Sequence, residues 1–550
     1  MRHLKLKYST AAEALSLLLA SVLMAGALTG CGQTGTLNTA ANTSTNTSTN
    51  TNLTISPEIS TAEINPSAPE YAEKIFGTDI ITLEILADEA QWQTMLDNAT
   101  EEAYIKVDVV INGTTLKDVG IRPKGNSSLK QVASSDSDRY SFRIKFDKYV
   151  EGQTCFGLDQ MVVNNMMGDN SYMKEYISYD LMKTIGVDTP YFGFTDITVN
   201  GQPWGLYLAV ELYNDSYEER VYGDTTGALF NVKMSMGQDQ MPGEGRMPMV
   251  DRPVTDERPE TNTGATASAS PTQIPSDLPE DRTPGDFPGG KVGNMGARNG
   301  GSLAYTDDNP ESYSDIFDNV VGDVDTAANQ RVITALKALY SGTELDTYFD
   351  TDAILRYLAA HTVVVNLDSY SSSMAQNYYL YERAGQLTVL PWDYNLAWGG
   401  FQSGDADSVI NFPIDTPVSG VSMSDRPLLN QLLSDETYLA QYHDHLNTLL
   451  QKYFADGHFT QKIQSLHTLI SDDVKNDPTA FCTYEAYQTA VEALIELGNL
   501  RAQSIQGQLD GSIPSTTEGQ QSSPSVLVPA GDLQIEALGS MMGSGKRGER

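Results

Sequence analysis

Asp368, Asn377 and Asp393 are the residues through which this 550-residue chain could carry out metal-assisted phosphoryl chemistry. They sit in Val365-Asn366-Leu367-Asp368, in Asn377-Tyr378-Tyr379-Leu380-Tyr381 and in Leu390-Pro391-Trp392-Asp393-Tyr394-Asn395. One aspartate can accept the proton of a hydroxyl. The asparagine and the other aspartate offer the hard oxygens that Mg²⁺ takes, with substrate phosphates completing its shell. Taken singly, Asp368 would serve as a helix cap and Asp393 as a turn cap; the combination is less readily explained that way.

Two further segments carry charge in a suggestive pattern. Gly120-Ile121-Arg122-Pro123-Lys124-Gly125-Asn126-Ser127-Ser128 packs two cations, two hydroxyls and flexible backbone into nine residues. Glycine permits close backbone approach, and exposed N–H groups beside Arg and Lys make an anion cradle. The spacing is not that of a Walker A loop. In Ser141-Phe142-Arg143-Ile144-Lys145-Phe146, period-two alternation puts Ser141, Arg143 and Lys145 on one face. That face suits a phosphate site, but spacing alone favours a solvated face on an amphipathic strand.

The elements that must position these groups can be read from periodicity. Strands are expected at 79–87, 104–111, 114–122, 140–147, 193–200 and 203–212, with hairpin turns at Asn112-Gly113 and Asn200-Gly201. A helix is expected at 170–185, stopping at Gly186, and another at 88–99. Helices then follow at 310–321, 326–340, 346–349 and 351–366, a strand pair at 376–383 and 386–391, and several amphipathic helices over 426–510. The layout is α+β: a β-rich N-terminal half, an α-rich C-terminal half and a cleft between them.

Residues 235–300 are rich in Met, Gly, Pro, Asp and Thr without apolar periodicity, and read as an insertion in a domain spanning 71–510. Its serines and threonines also allow a lid or autophosphorylation segment. Residues 511–550 are rich in Ser, Pro and Gly and read as a disordered tail. The start of the chain has a basic n-region (Arg2, Lys5, Lys7), a short apolar stretch and then Leu28-Thr29-Gly30-Cys31. That is the layout of a secretory signal, and it resembles the bacterial lipobox. Cys31 is therefore the expected lipidation site, with 1–31 as signal and lipobox and the Thr/Asn/Ser-rich 32–70 as a stalk. The expected location is the extracytoplasmic face of a cell membrane. The net charge of −37 disfavours nucleic acid as a partner. The three cysteines make no disulfide framework and no zinc spacing.

As a set, the three chemical segments resemble the CotH kinase family of spore-coat proteins. Asn170-Ser171-Tyr172-Met173-Lys174-Glu175-Tyr176 and Gly205-Leu206-Tyr207-Leu208-Ala209-Val210-Glu211 add to the likeness. The resemblance implies a divergent bilobal protein-kinase-like fold that moves the γ-phosphoryl of ATP, with Mg²⁺ or Mn²⁺, to Ser or Thr of a protein acceptor, basic acceptors included. It implies Asp368 as catalytic base, and Asp393 and Asn377 as metal ligands. Lys145 becomes the phosphate-contacting lysine, held by Glu175. Arg122, Lys124 and Asn126 would line the nucleotide loop, with Glu211 near the adenine. Asn395 stands where many relatives carry a second aspartate, which leaves open a pseudokinase or a non-catalytic surface or cell-wall scaffold. A metal-dependent hydrolase using the same carboxylates is a third reading.

Overall fold

The computed structural model describes residues 68–234, 299–322 and 324–541. The expected signal and lipobox, Cys31, nearly all of the expected stalk and residues 235–298 lie outside the described residues.

Seven strands close into a barrel: β1 (Ile81–Leu86), β2 (Ile105–Ile111), β3 (Thr114–Lys124), β4 (Ser141–Lys145), β5 (Gln160–Asn164), β6 (Phe192–Val199) and β7 (Gln202–Glu211). Their order is β1-β2-β3-β4-β5-β7-β6, and β1 closes on β6 through a parallel ladder. Alternate apolar residues fill the interior, among them Ile81, Leu83, Ile85, Val107, Val109, Ile111, Phe142 and Ile144, as the period-two pattern requires. The two hairpins turn where expected, with Asn112, Gly113, Asn200 and Gly201 all at positive φ. Each asparagine side chain also ties its turn to a neighbour, Asn112 accepting from the Thr82 N–H and Asn200 from the Ala87 N–H, each at 2.9 Å.

β5 has no counterpart in the sequence reading. It is buried on both sides: Met161 and Val163 face the barrel interior, and Val162 joins the core of the helical half. A strand covered on two faces shows no polar alternation.

A second sheet follows, ordered β11-β10-β8-β9: β8 (Ala228–Val232), β9 (Val320–Val321), β10 (Tyr378–Arg383) and β11 (Gln386–Pro391). Around it pack the helices Lys174–Thr184, Thr326–Ser341, Thr351–Val364, Pro427–Ser434, Glu436–Leu449, His458–Asn476 and Tyr484–Asp510. Their buried faces share one core with the outer residues Val162, Leu206, Leu208 and Val210 of the barrel. The chain is thus α+β, β-rich first and helical second. Among the described residues no helix is long and apolar enough to cross a membrane.

The structure corrects two segments. The expected helix over 310–321 is a 3₁₀ turn (Pro310–Tyr313), one helical turn (Ser314–Phe317) and β9; Pro310 starts the turn, and the ladder with β8 claims Val320 and Val321. The expected disordered tail is ordered over residues 511–541. Its sparse apolar residues Val528, Leu533, Ile535 and Leu538 are buried on the helical half, a long-range packing that local composition does not reveal.

Arg139 joins the barrel to the helical half. Its guanidinium is fully buried, donates to both Asp477 oxygens at 3.0 and 2.8 Å, to the Asn165 carbonyl and to the Leu206 carbonyl, and lies over the Tyr207 ring. Gly205, at φ +140°, leaves room for Asp477: a β-carbon there would stand 2.3 Å from its Oδ1. Removing one partner of such a pair strands a buried charge. Arg139→Ala is expected to cost about 3–5 kcal/mol, read from the urea midpoint.

Candidate functional site

Three chain ends converge on one place. The helix Thr351–Val364 stops at Val365, which takes a left-handed conformation (φ 48°), and Asp368 follows three residues later. β10 and β11 pair with Tyr378 opposite Pro391. That register puts Asn377 and the Trp392-Asp393 pair together at the open end of the hairpin. Asn366 binds the parts: its side chain accepts from the Asp368 N–H and donates to the Asp393 carbonyl, each at 3.2 Å. Asn377 Nδ2 donates to the Asp368 carbonyl at 2.8 Å and to its Oδ2 at 3.0 Å; Gln376 Nε2 donates to Oδ1 at 3.2 Å. Asn377 and Asp393 both sit at positive φ, 58° and 62°. Such conformations cost non-glycine residues energy and persist where the surroundings impose them.

The barrel contributes the opposite wall. Lys124 ends β3 opposite Ser141, and because Phe142 faces Val163, Asn164 lies beside Ser141 in the same row. Lys124 Nζ donates to Asn164 Oδ1 at 3.0 Å, and Asn164 Nδ2 donates to Glu175 Oε2 at 3.0 Å. Tyr179 OH donates to Glu175 Oε1 at 3.3 Å and accepts from the Asp393 N–H at 3.3 Å. A continuous hydrogen-bonded chain thus runs from β3 through the helix Lys174–Thr184 to Asp393.

The three carboxyls are held in unusual states. Burial, then the Asp393 charge, pushes Asp368 up to about 7. The same two causes raise Glu175 to about 7, with Asn164, Lys124 and Tyr179 opposing. Burial raises Asp393, and Lys124 opposes it. Since folded values lie above the ordinary 3.8 and 4.5, the folded chain holds protons that the unfolded chain releases. Stability is highest below about pH 4 in this respect and is lost as pH rises toward about 7. The melting temperature of the metal-free protein is therefore expected to fall between pH 5 and pH 8, with excess Mg²⁺ restoring part of the loss at pH 8; calorimetry reads both.

Around Lys124 gathers a group of cations. Arg122 lies over Tyr104 and pairs with Glu102, and burial and Arg143 lower its pKa to about 10. Arg143 donates to Gln160 Oε1. Lys233, just beyond β8, has its pKa lowered by desolvation and then by Arg143, Lys124 and Arg122. So much positive charge gathered in a strongly acidic chain suits a multiply charged anion. Arg143, Lys233, Asn164, Tyr179, Asn366 and Gln376 were not among the sequence candidates. Arg143 shares the face already noted on its strand. Asn164 lies in the strand that has no alternation, and nothing local marks Lys233.

Several expected roles change. Lys145 does not meet Glu175: it lies at the far end of β4, opposite Gly120, and pairs with Asp147 at 3.5 Å. Four residues of strand, roughly 13 Å, separate the Lys145 and Ser141 rows; Lys124 occupies the place expected for Lys145. Glu211 is fully buried and accepts four hydrogen bonds, from Tyr71 OH, the Tyr191 N–H and two Arg220 nitrogens. That saturates a carboxylate, so Glu211 is a structural tie rather than a ligand contact. Asn126 is exposed at the start of the helix Ser127–Ala133, and its side chain makes no capping bond. Asn395 Nδ2 donates to the Met167 carbonyl at 2.9 Å, a bond an ionised aspartate could not make.

A divalent metal fits the remaining donors. The Asp393 carboxylate receives no hydrogen bond within the described residues, and the Asn377 amide turns its nitrogen to Asp368, leaving Oδ1 as an acceptor. Among the described residues no three His, Cys, Asp or Glu side chains form a metal cluster. One carboxylate plus an amide oxygen is the sparse protein share expected when phosphates supply other ligands.

Known proteins resemble this chain in sequence. Residues 121–505, well over half of the chain, match the CotH kinase protein family. The chain is 26% identical over 184 residues to the inner spore coat protein H of Bacillus subtilis (strain 168), covering 32% of this chain and 46% of that protein. It is 25% identical over 123 residues to the inner spore coat protein H-like protein of the same organism, covering 21% and 38%. The chain thus spans less than half the length of each of these relatives. Barrel row, hairpin end and carboxyl cluster all fall within the matched region, and the chain belongs to the CotH kinase protein family.

Proposed function

We propose that this chain is an ATP-dependent protein Ser/Thr kinase with a divergent bilobal kinase-like fold, using Mg²⁺ or Mn²⁺. The observation that carries the reading is the chain Lys124–Asn164–Glu175–Tyr179–Asp393, set against Asp368. Lys124, with Arg122, Arg143 and Lys233 around it, neutralises the nucleotide phosphates. Asp393 and the Asn377 Oδ1 hold the metal, which supplies charge neutralisation on the phosphates when bound. Asp368 accepts the acceptor hydroxyl proton at a carboxylate oxygen as the acceptor oxygen bonds to phosphorus and the bond to the nucleoside diphosphate breaks. Its raised pKa, near neutrality, suits a base. Gln376 and Asn377 orient that carboxylate.

The test is transfer of labelled γ-phosphate to a Ser-rich basic acceptor. Asp368→Asn is expected to lower the rate about 10²–10⁴-fold while keeping the thermal shift given by ATP. Undiminished transfer in the variant removes Asp368 as base. A wild type showing neither transfer nor shift removes the kinase reading and leaves the surface scaffold. Cys31 is proposed to anchor the chain at the extracytoplasmic face of the membrane; a mature N-terminus other than lipidated Cys31, found by mass spectrometry, removes that proposal.

A further inference from the structure

The segment after the last long helix lies beyond the family match, which ends at residue 505, yet it is docked closely on the candidate site's supports. Val528 exchanges two backbone hydrogen bonds with the Asn411 side chain, at 2.8 and 3.0 Å, and the Ala530 N–H donates to Asp407 at 2.8 Å. Ile535 occupies the space beside Gly399, where a β-carbon would stand 2.5 Å from its Cδ1. Leu538 is buried. Its carbonyl accepts from the Asn170 N–H at 3.0 Å, and the Ala537 carbonyl accepts from Asn170 Nδ2 at 3.0 Å.

Lys174 completes the contact. It is wholly buried, the first residue of the helix that carries Glu175 and Tyr179. Its ammonium donates to the Gly168 carbonyl at 2.7 Å and to the Gly539 carbonyl at 3.5 Å. Buried Asp169 takes the Lys174 N–H at 2.8 Å and lies near enough to stabilise the charge. A buried ammonium is costly unless its donors are met, so Gly539 gives the helix start a reason to stay where it is. The same loop meets the chain beyond Asp393: Met167 receives the Asn395 amide, and a β-carbon on Gly168 would stand 2.9 Å from Leu396.

We propose that Val528–Gly539 is an intramolecular positioning strap: seated on Asn170 and Lys174, it holds the Glu175 helix against the loop that follows Asp393. Lys174 is the positioning residue through which it acts. The structural part stands on these contacts alone; its consequence for nucleotide binding rests on the kinase reading.

Hydrogen exchange of the full chain without nucleotide tests the strap, in Ile535→Asp/Leu538→Asp and in the milder Asn170→Ala. Amides 172–184 are expected to exchange about tenfold faster in the first variant and a few-fold faster in the second, with β1–β3 and Thr326–Ser341 unchanged. Fast exchange at 528–539 with unchanged protection at 172–184 overturns the proposal. Acceleration throughout the chain in the milder variant also overturns it, since the segment is then part of the global core. A fluorescent ATP analogue should bind the released variant about fivefold more weakly, because fewer molecules hold the competent helix position. If the wild type binds no analogue, the kinase reading fails, while the exchange result still decides the strap.

Discussion

Asp393→Ala is expected to lower phosphoryl transfer by about a thousandfold or more and, at the same time, to raise the melting temperature of the metal-free protein at pH 8. The two effects have one cause. Asp393 is a half-buried residue whose carboxylate has no hydrogen-bond donor among the described residues, and its charge pushes up both Asp368 and Glu175. A metal ion held there would turn that repulsion into binding energy; without metal the repulsion stands as a cost to the fold. Removing the carboxylate therefore relieves the fold and disables the site, a trade of stability for activity seen where functional groups are held in unfavourable surroundings. Asp368 and Glu175 should then titrate at lower pH. Single-turnover transfer and calorimetry at pH 8 with chelator read the two effects. A variant that melts lower than the wild type would mean that the carboxylate holds the loop together, and the electrostatic account would be wrong.

Lys124 and Lys145 supply the second large effect, through their contrast. Lys124→Ala is expected to lower kcat/KM for ATP about a hundredfold or more, since it removes the cation that meets Asn164 and offsets the Asp393 and Glu175 charges. Lys145→Ala should stay within about twofold, because its partner is a surface aspartate and such pairs contribute little. Steady-state transfer measured across ATP concentrations decides between them. The reverse order of effects would restore Lys145 to the site and make the row Lys124–Ser141–Asn164 a structural feature of the barrel only. A pKa measured for Glu175 that rises further in Lys124→Ala would support the same electrostatic link by a route that does not depend on catalysis.

Much of this was present in the order of residues. Period-two alternation marked β1 to β4, because one face of each lines the barrel. Asn112-Gly113 and Asn200-Gly201 marked the hairpins, because a two-residue turn needs positive φ at both positions. Asp368, Asn377 and Asp393 stood out by type, and the helix and hairpin ends that bring them together were legible as well. What alternation could not show was β5, covered on both faces, and with it Asn164. Without that strand the row containing Lys124 is invisible, and the choice between two lysines on the same barrel face falls to motif likeness alone. Strand register, a pairing between residues 15 or more apart in the chain, made that choice. The tail from 511 to 541 shows the same limit. Its few apolar residues look insufficient for order by themselves and become sufficient only because Asn170, Lys174, Gly399 and Asn411 present partners for them. Local sequence set the elements and the chemical groups, since propensity, turn geometry and residue type act over a few positions. Which groups meet was set by the tertiary fold, since register, burial and charge proximity depend on segments far apart in the chain.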